Sequence, residues 1–116
     1  MWPVKFFADD DGREPVSEWL NSGELSAKDK TSVENKLQKL SENGHNILIN
    51  TNMLDNISGD DPNMYEIRHN KCRVIVYFDE QKGEYIALHG FIKRKQKENI
   101  HIEYARRLLN SYMAEK

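Results

Sequence analysis

An α+β domain is predicted by three observations on this chain of 116 residues. Strand-like and helix-like patterns are segregated along the chain. The most apolar stretch, Cys72 to Asp79, is rich in β-branched and aromatic residues, and amphipathic helical stripes stand before and after it. The length suits a single domain covering residues 1–116, with one modest core.

Val4 and Phe6 mark a short opening strand, ended by Asp9-Asp10-Asp11-Gly12, residue types that tolerate turn geometry. Pro15 suits the first turn of a helix carrying Val16, Trp19 and Leu20 on one face. Ser26 followed three residues later by Asp29 resembles a capping arrangement, and Val33, Leu37 and Leu40 then recur at helical spacing until Gly44 offers a stop. The remaining surface of that helix, with Lys28, Lys30, Glu34, Lys36, Lys39 and Glu42, is mixed in sign and reads as a solvated face with no catalytic role. An irregular stretch runs from His45 to Pro62. Three strands follow at about Met64–His69, Cys72–Asp79 and Glu84–Ile92, spaced for antiparallel hairpins. Apolar residues on both faces of Val74-Ile75-Val76-Tyr77-Phe78 predict a central strand, covered by helices on one side and leaving the other for a ligand or partner. The last helix, from about Asn99 to Ala114, carries Ile102, Ala105, Leu108, Leu109 and Tyr112 on one stripe and is expected to pack on the sheet.

With 38% apolar and 31% charged residues and only short apolar runs, no membrane-spanning helix is expected. The opening Met1-Trp2-Pro3-Val4-Lys5 lacks a basic region followed by an apolar one, so a cytoplasmic location is expected. Cys72 is the lone cysteine, which excludes an internal disulfide, and the histidines show no metal-ligand spacing. No structural metal and no cofactor are expected. The net charge of −2 excludes an indiscriminate polyanion binder, yet residues 1–62 hold 6 Lys/Arg against 12 Asp/Glu while residues 63–116 hold 11 against 7. The densest basic run is Lys93-Arg94-Lys95-Gln96-Lys97, a source of local positive potential.

Familiar enzyme patterns are missing: there is no glycine-rich phosphate loop, no His-Glu-x-x-His and no nucleophile elbow. What remains is a set of cations and polar groups on the strands and the junction after them: Arg68, Lys71, Arg73, His89, Lys93, Arg94, Lys95, Lys97 and His101. Arg68 and Arg73 flank a hairpin connection inside the most apolar part of the chain. A buried arginine must be paired or reach water, so Glu66 or Asp79 is expected as a structural partner, and a polyanion site is the competing explanation.

Met64-Tyr65-Glu66-Ile67-Arg68, then Arg73 leading Val74-Ile75-Val76-Tyr77-Phe78, then Leu88-His89-Gly90-Phe91 with Lys93-Arg94, then a helix with Glu103, Ala105 and Arg106, resemble the RelE/HigB superfamily of toxins, in its phage-derived HigB-like branch. The likeness covers about residues 4–112. It implies a compact RelE-like domain with a curved, mainly antiparallel sheet, two N-terminal helices and a C-terminal helix, the helices lying on one face. It also implies a toxin of a type II toxin-antitoxin module: a metal-independent endoribonuclease (mRNA interferase) cutting messenger RNA on the ribosome, neutralised by a cognate helix-turn-helix antitoxin, with no membrane partner. In such cleavage the 2′-hydroxyl attacks the phosphate, and arginine forks stabilise the crowded dianion. Arg68 and Arg73 are assigned that task, with Lys93 holding the phosphate from the other side and His89 as the default proton carrier. Lys71, Arg94, Lys95, Lys97 and His101 are expected to bind RNA, with His101 and Tyr104 also in the region where relatives carry a proton donor. The junction departs from the commoner Lys-Lys-Thr-Gln-Lys-Thr-Pro by losing the proline, so the start of the last helix is expected to shift. The alternative is a non-catalytic binding module, such as a gyrase-inhibiting or inactive prophage-derived relative.

Overall fold

The computed structural model describes residues 1–49, 51–57, 62–94 and 98–115, so Lys95 and Lys97 lie outside the described residues. Strand β1 (Val4–Phe6) leads to α1 (Pro15–Leu20), with Pro15 in its first turn and Val16, Trp19 and Leu20 buried as the spacing requires. Helix α2 (Ala27–Asn43) starts where the Asp29 amide donates to Ser26 Oγ at 3.1 Å and stops at Gly44, whose φ of 77° is left-handed backbone. The stretch read as irregular contains a short helix α3 (His45–Leu48) and a strand β2 (Leu54–Asn56), too brief to leave a periodic signature. Strands β3 (Met64–His69), β4 (Cys72–Asp79) and β5 (Glu84–Ile92) and helix α4 (Glu98–Ala114) complete the order.

The sheet runs β1-β5-β4-β3-β2, antiparallel except that β1 lies parallel to β5. Both faces of β4 are apolar because both are covered by helices. Cys72, Val74 and Val76 join the core formed with α1, α2 and α3; Ile75 joins a second core with Leu88, Phe91, Ala105 and Leu109 under α4. The expectation that the helices share one face is therefore corrected. The α4 stripe is apolar enough to need burial, and the only sheet face still uncovered was the one opposite α2. Near its far end Tyr112 donates to the fully buried Asp79 carboxylate at 2.6 Å, tying α4 to the β4–β5 turn. Asp79 is thus committed to this tie, and Glu66, the other expected partner, meets the arginines.

Two details of β5 aim side chains at the α4 face. Ile75 pairs with His89 but Val76 pairs with Ala87, so Leu88 is an extra residue and the strand bulges. Past the bulge His89 shares the α4 face instead of turning away from it, and packs against His101. Gly90 lies against Trp19: a Cβ there would sit well inside van der Waals contact of three indole carbons. That close approach explains the glycine of the His89-Gly90-Phe91 motif. Gly90→Ala is expected to cost at least about 2 kcal/mol, since Trp19 has no space to retreat in a packed core. A urea midpoint equal to wild type would show that Trp19 moves freely.

Candidate functional site

Alternation on β3 and β4 puts Glu66, Arg68 and Arg73 on the α4 face, with Arg68 directly opposite Arg73. Two cations in register repel unless anions intervene, and Glu66 does so. Arg68 donates from Nε to Glu66 Oε1 at 3.1 Å and from Nη2 to Asp55 Oδ2 at 2.9 Å. Arg73 is almost buried; its Nη1 donates to the carbonyls of Asn70 at 2.7 Å and Cys72 at 2.9 Å. Its buried Nε makes no hydrogen bond among the described residues, with Glu66 Oε1 at 3.6 Å.

Glu66 is only 3% exposed, and it shares a side-chain hydrogen bond with Glu98 from the first turn of α4. Two carboxyl groups can be bonded to each other only if a proton sits between them. Burial, and then that bond, push Glu66 up to about 7 against the pull of Arg68; the same bond holds Glu98 low, helped by Lys93, Arg73 and Arg68. Asp55, Glu66, Arg68, Glu98, Glu103 and Arg106 border a cavity of about 320 Å³ between the sheet and α4. It is not a purely cationic cradle: Arg68 rests against two carboxylates, one of which holds a proton near neutrality.

Beside it lies an aromatic group. His101 stacks on Phe91 with ring centres 4.0 Å apart, His89 Nε2 and His101 Nδ1 are 2.8 Å apart, and Tyr104 meets His89 edge-on. One facing nitrogen donates and the other accepts. Burial, then the neighbouring His101, push His89 down to about 4, and burial lowers His101 as well. Both rings are therefore neutral at neutral pH, and the expectation of a histidine titrating near neutrality is corrected by this burial.

The basic junction forms a third group. The Lys93 amide donates to the Lys71 carbonyl at 2.7 Å, and Lys71, Lys93 and Arg94 border an open depression of about 590 Å³. Lys93 Nζ lies 3.8 Å from Glu98, which links this group to the cavity. The predicted site residues that the structure describes are thus gathered at one end of the sheet but as three neighbouring groups. Sequence reasoning took Glu66 only as a structural counter-ion and did not single out Glu98. The available signals were the two-residue spacing of Glu66 and Arg68 on a strand, and Glu98, Ile102 and Arg106 along one line of a helix.

The description "Phage derived protein Gp49-like (DUF891)" matches residues 18–110. The chain belongs to this Gp49-like family. Among solved structures, the Gp49-like chain is similar to the Escherichia coli toxin RelE, determined as a mutant in the free state, with a TM-score of 0.60 and 18% identity over 91% of this chain and 96% of that one. It is also similar to a chain of the toxin-antitoxin complex RelBE2 from Mycobacterium tuberculosis, with a TM-score of 0.53 and 13% identity over 79% of this chain and 98% of that one. These likenesses give the Gp49-like chain the fold of the RelE toxins. No curated protein matches it significantly. Among its described residues no helix is long and apolar enough to cross a membrane.

Proposed function

We propose that this protein is the toxin of a type II toxin-antitoxin module and cuts messenger RNA on the ribosome by attack of the 2′-hydroxyl on its own phosphate. One observation carries the reading: Glu66, titrating near neutrality, stands between Arg68 and Arg73 at the wall of a solvent-open cavity. The RelE fold and the Gp49-like family support it.

In the proposed reaction the scissile phosphate enters the cavity and exchanges with the carboxylates that occupy Arg68. Arg68 then grips phosphate oxygens, and Arg73, with its unbonded Nε, stabilises the dianion from the sheet floor. Glu66 in its ionised form takes the proton of the 2′-hydroxyl, a task suited to a group with pKa near the working pH. Water at the cavity mouth returns a proton to the departing 5′-oxygen. His89, neutral and packed, orients His101 and the cavity wall instead of carrying the proton. Lys71, Lys93, Arg94 and the 95–97 segment hold neighbouring backbone, and a cognate helix-turn-helix antitoxin neutralises the toxin.

A second reading, a binding module without nuclease activity, is favoured by the commitment of both arginines to internal acceptors. Induced expression of the chain alone in a bacterium, with RNA 5′ ends mapped within minutes, separates the two. Cuts confined to translated frames are expected. Intact RNA with arrested growth would establish the binding module, and intact RNA with normal growth an inactive relative.

A further inference from the structure

A second cationic concavity, apart from the cavity under α4, is a cleft between α2 and the same end of the sheet. It measures about 650 Å³ and lies between α2, the Thr51–Met53 turn and the β3–β4 hairpin. Lys36, Lys39, Arg68 and Arg73 border it together with Asn52 and Asn70, and among the described residues its lining contains no carboxylate. The helix surface that read as mixed in sign is in fact divided. Glu34 and Gln38 border a separate groove against β1, Gln38 bonds Glu42, and Lys36 and Lys39 point to the cleft.

Lys36 is held in place, its Nζ donating to the Arg68 carbonyl at 3.0 Å. Burial lowers its pKa, and the neighbouring charge of Lys39 lowers it further. Arg68 borders both this cleft and the cavity, which places the two next to each other at the end of β3. Leu48 is only 6% exposed and Met53 only partly exposed, so the cleft offers two aliphatic side chains and no aromatic anchor of the kind that dominates protein interfaces. Phosphodiester oxygens need only cations and amide donors.

We propose that the cleft of Lys36 and Lys39 holds the phosphodiester backbone of the same RNA strand whose scissile phosphate lies in the cavity, a few nucleotides from the cut. This rests on the RNA-cleaving reading and adds to it a path for the strand. The two lysines contribute affinity and salt dependence and take no part in bond breaking.

The test measures binding of the full chain to 2′-O-methyl oligouridylates, which cannot be cut, by fluorescence anisotropy across a salt series. A trimer can place one nucleotide in the cavity without reaching the cleft, and a strand of about ten nucleotides is long enough to reach both. For the Lys36→Gln, Lys39→Gln double variant the longer strand is expected to lose about 1.4 from its log–log salt slope, two cations at about 0.7 each, with the trimer unchanged. Lys39→Glu, a substitution at an exposed side chain, is expected to weaken the longer strand in the same way and serves if the double variant folds poorly. Wild-type binding of both oligomers with no change in either variant would overturn the cleft while leaving the cavity reading in place. Failure of the wild type to bind either oligomer would overturn both. Binding of polyglutamate in place of RNA, with the same lysine dependence, would assign the cleft to an acidic polypeptide and overturn the proposal.

Discussion

Glu66→Gln is expected to lower RNA cleavage by roughly a hundredfold to ten-thousandfold, the usual range for a lost general base, while the protein still folds. The amide is close in shape to the carboxyl it replaces. Its NH₂ can donate to Glu98 as the shared proton does, and its oxygen can accept from Arg68 Nε, which now meets Glu66 Oε1 at 3.1 Å. What the amide cannot do is take a proton from a 2′-hydroxyl. The same variant has a stability signature that reports the raised pKa of Glu66 separately from its part in cleavage. Glu66 has a folded pKa of about 7, raised from 4.5 chiefly by burial and by its bond to Glu98. Between those values the folded chain binds more protons than the unfolded one, so this group's stabilising contribution is complete below about pH 4.5 and is lost as pH rises through 7. Its full extent is about 3 kcal/mol. Denaturation of the wild type should thus show a loss of stability from pH 5 to pH 8 that is reduced in Glu66→Gln, leaving the variant relatively more stable at the alkaline end. Wild-type cleavage rates for the variant at every pH would remove Glu66 from the mechanism.

The elements that depend on local signals were legible in the sequence. Ser26 and Asp29 with Gly44 bound α2, Pro15 opens α1, and the two hairpins of β3, β4 and β5 stand at the positions that their turns demand. The parallel pairing of β1 with β5 was not legible, because it joins Val4 to Tyr85 and leaves no trace in either short pattern. Nor was the placement of α4. An apolar stripe says that a helix must be buried, not which of two apolar sheet faces receives it. The site divides in the same way. Arg68 and Arg73 announced themselves as cations in an apolar context, but the proton shared by Glu66 and Glu98 arises between residues far apart in the chain, brought together only by α4 crossing the sheet. The pairing of His89 with His101 has a further hidden cause in the bulge at Leu88, which re-aims His89 by one residue. The division of α2 into an acidic and a basic side is also tertiary. Its charges alternate in sequence, and the neighbours of each side decide what that side faces.

Arg68→Ala and Arg73→Ala are expected to lose RNA cleavage together but to differ sharply in stability. From sequence the two arginines look equivalent, and loss of function with an intact fold would be expected of either. The structure separates them. The Arg68 side chain is 40% exposed, and of its two carboxylate partners Asp55 is 54% exposed, so water can replace that contact, while the buried Glu66 loses the cation that favours its ionised form and holds its proton instead. The Arg73 side chain is 10% exposed and satisfies two carbonyls at the β3–β4 turn; truncation strands those acceptors. A buried polar network broken on one side costs about 2–4 kcal/mol, against under about 1 kcal/mol for the exposed pair. In thermal denaturation that is a drop of roughly 10 °C for Arg73→Ala and only a few degrees for Arg68→Ala, at about 4 °C per kcal/mol in a domain of this size. Arg73→Lys keeps the charge but not the fork that spans both carbonyls, and is expected to fall between wild type and alanine in stability while cleaving poorly. Equal midpoints for the two alanine variants would mean that the Arg73 bonds to Asn70 and Cys72 contribute nothing to the fold. Arg73 would then be free to turn toward the cavity that Arg68 lines.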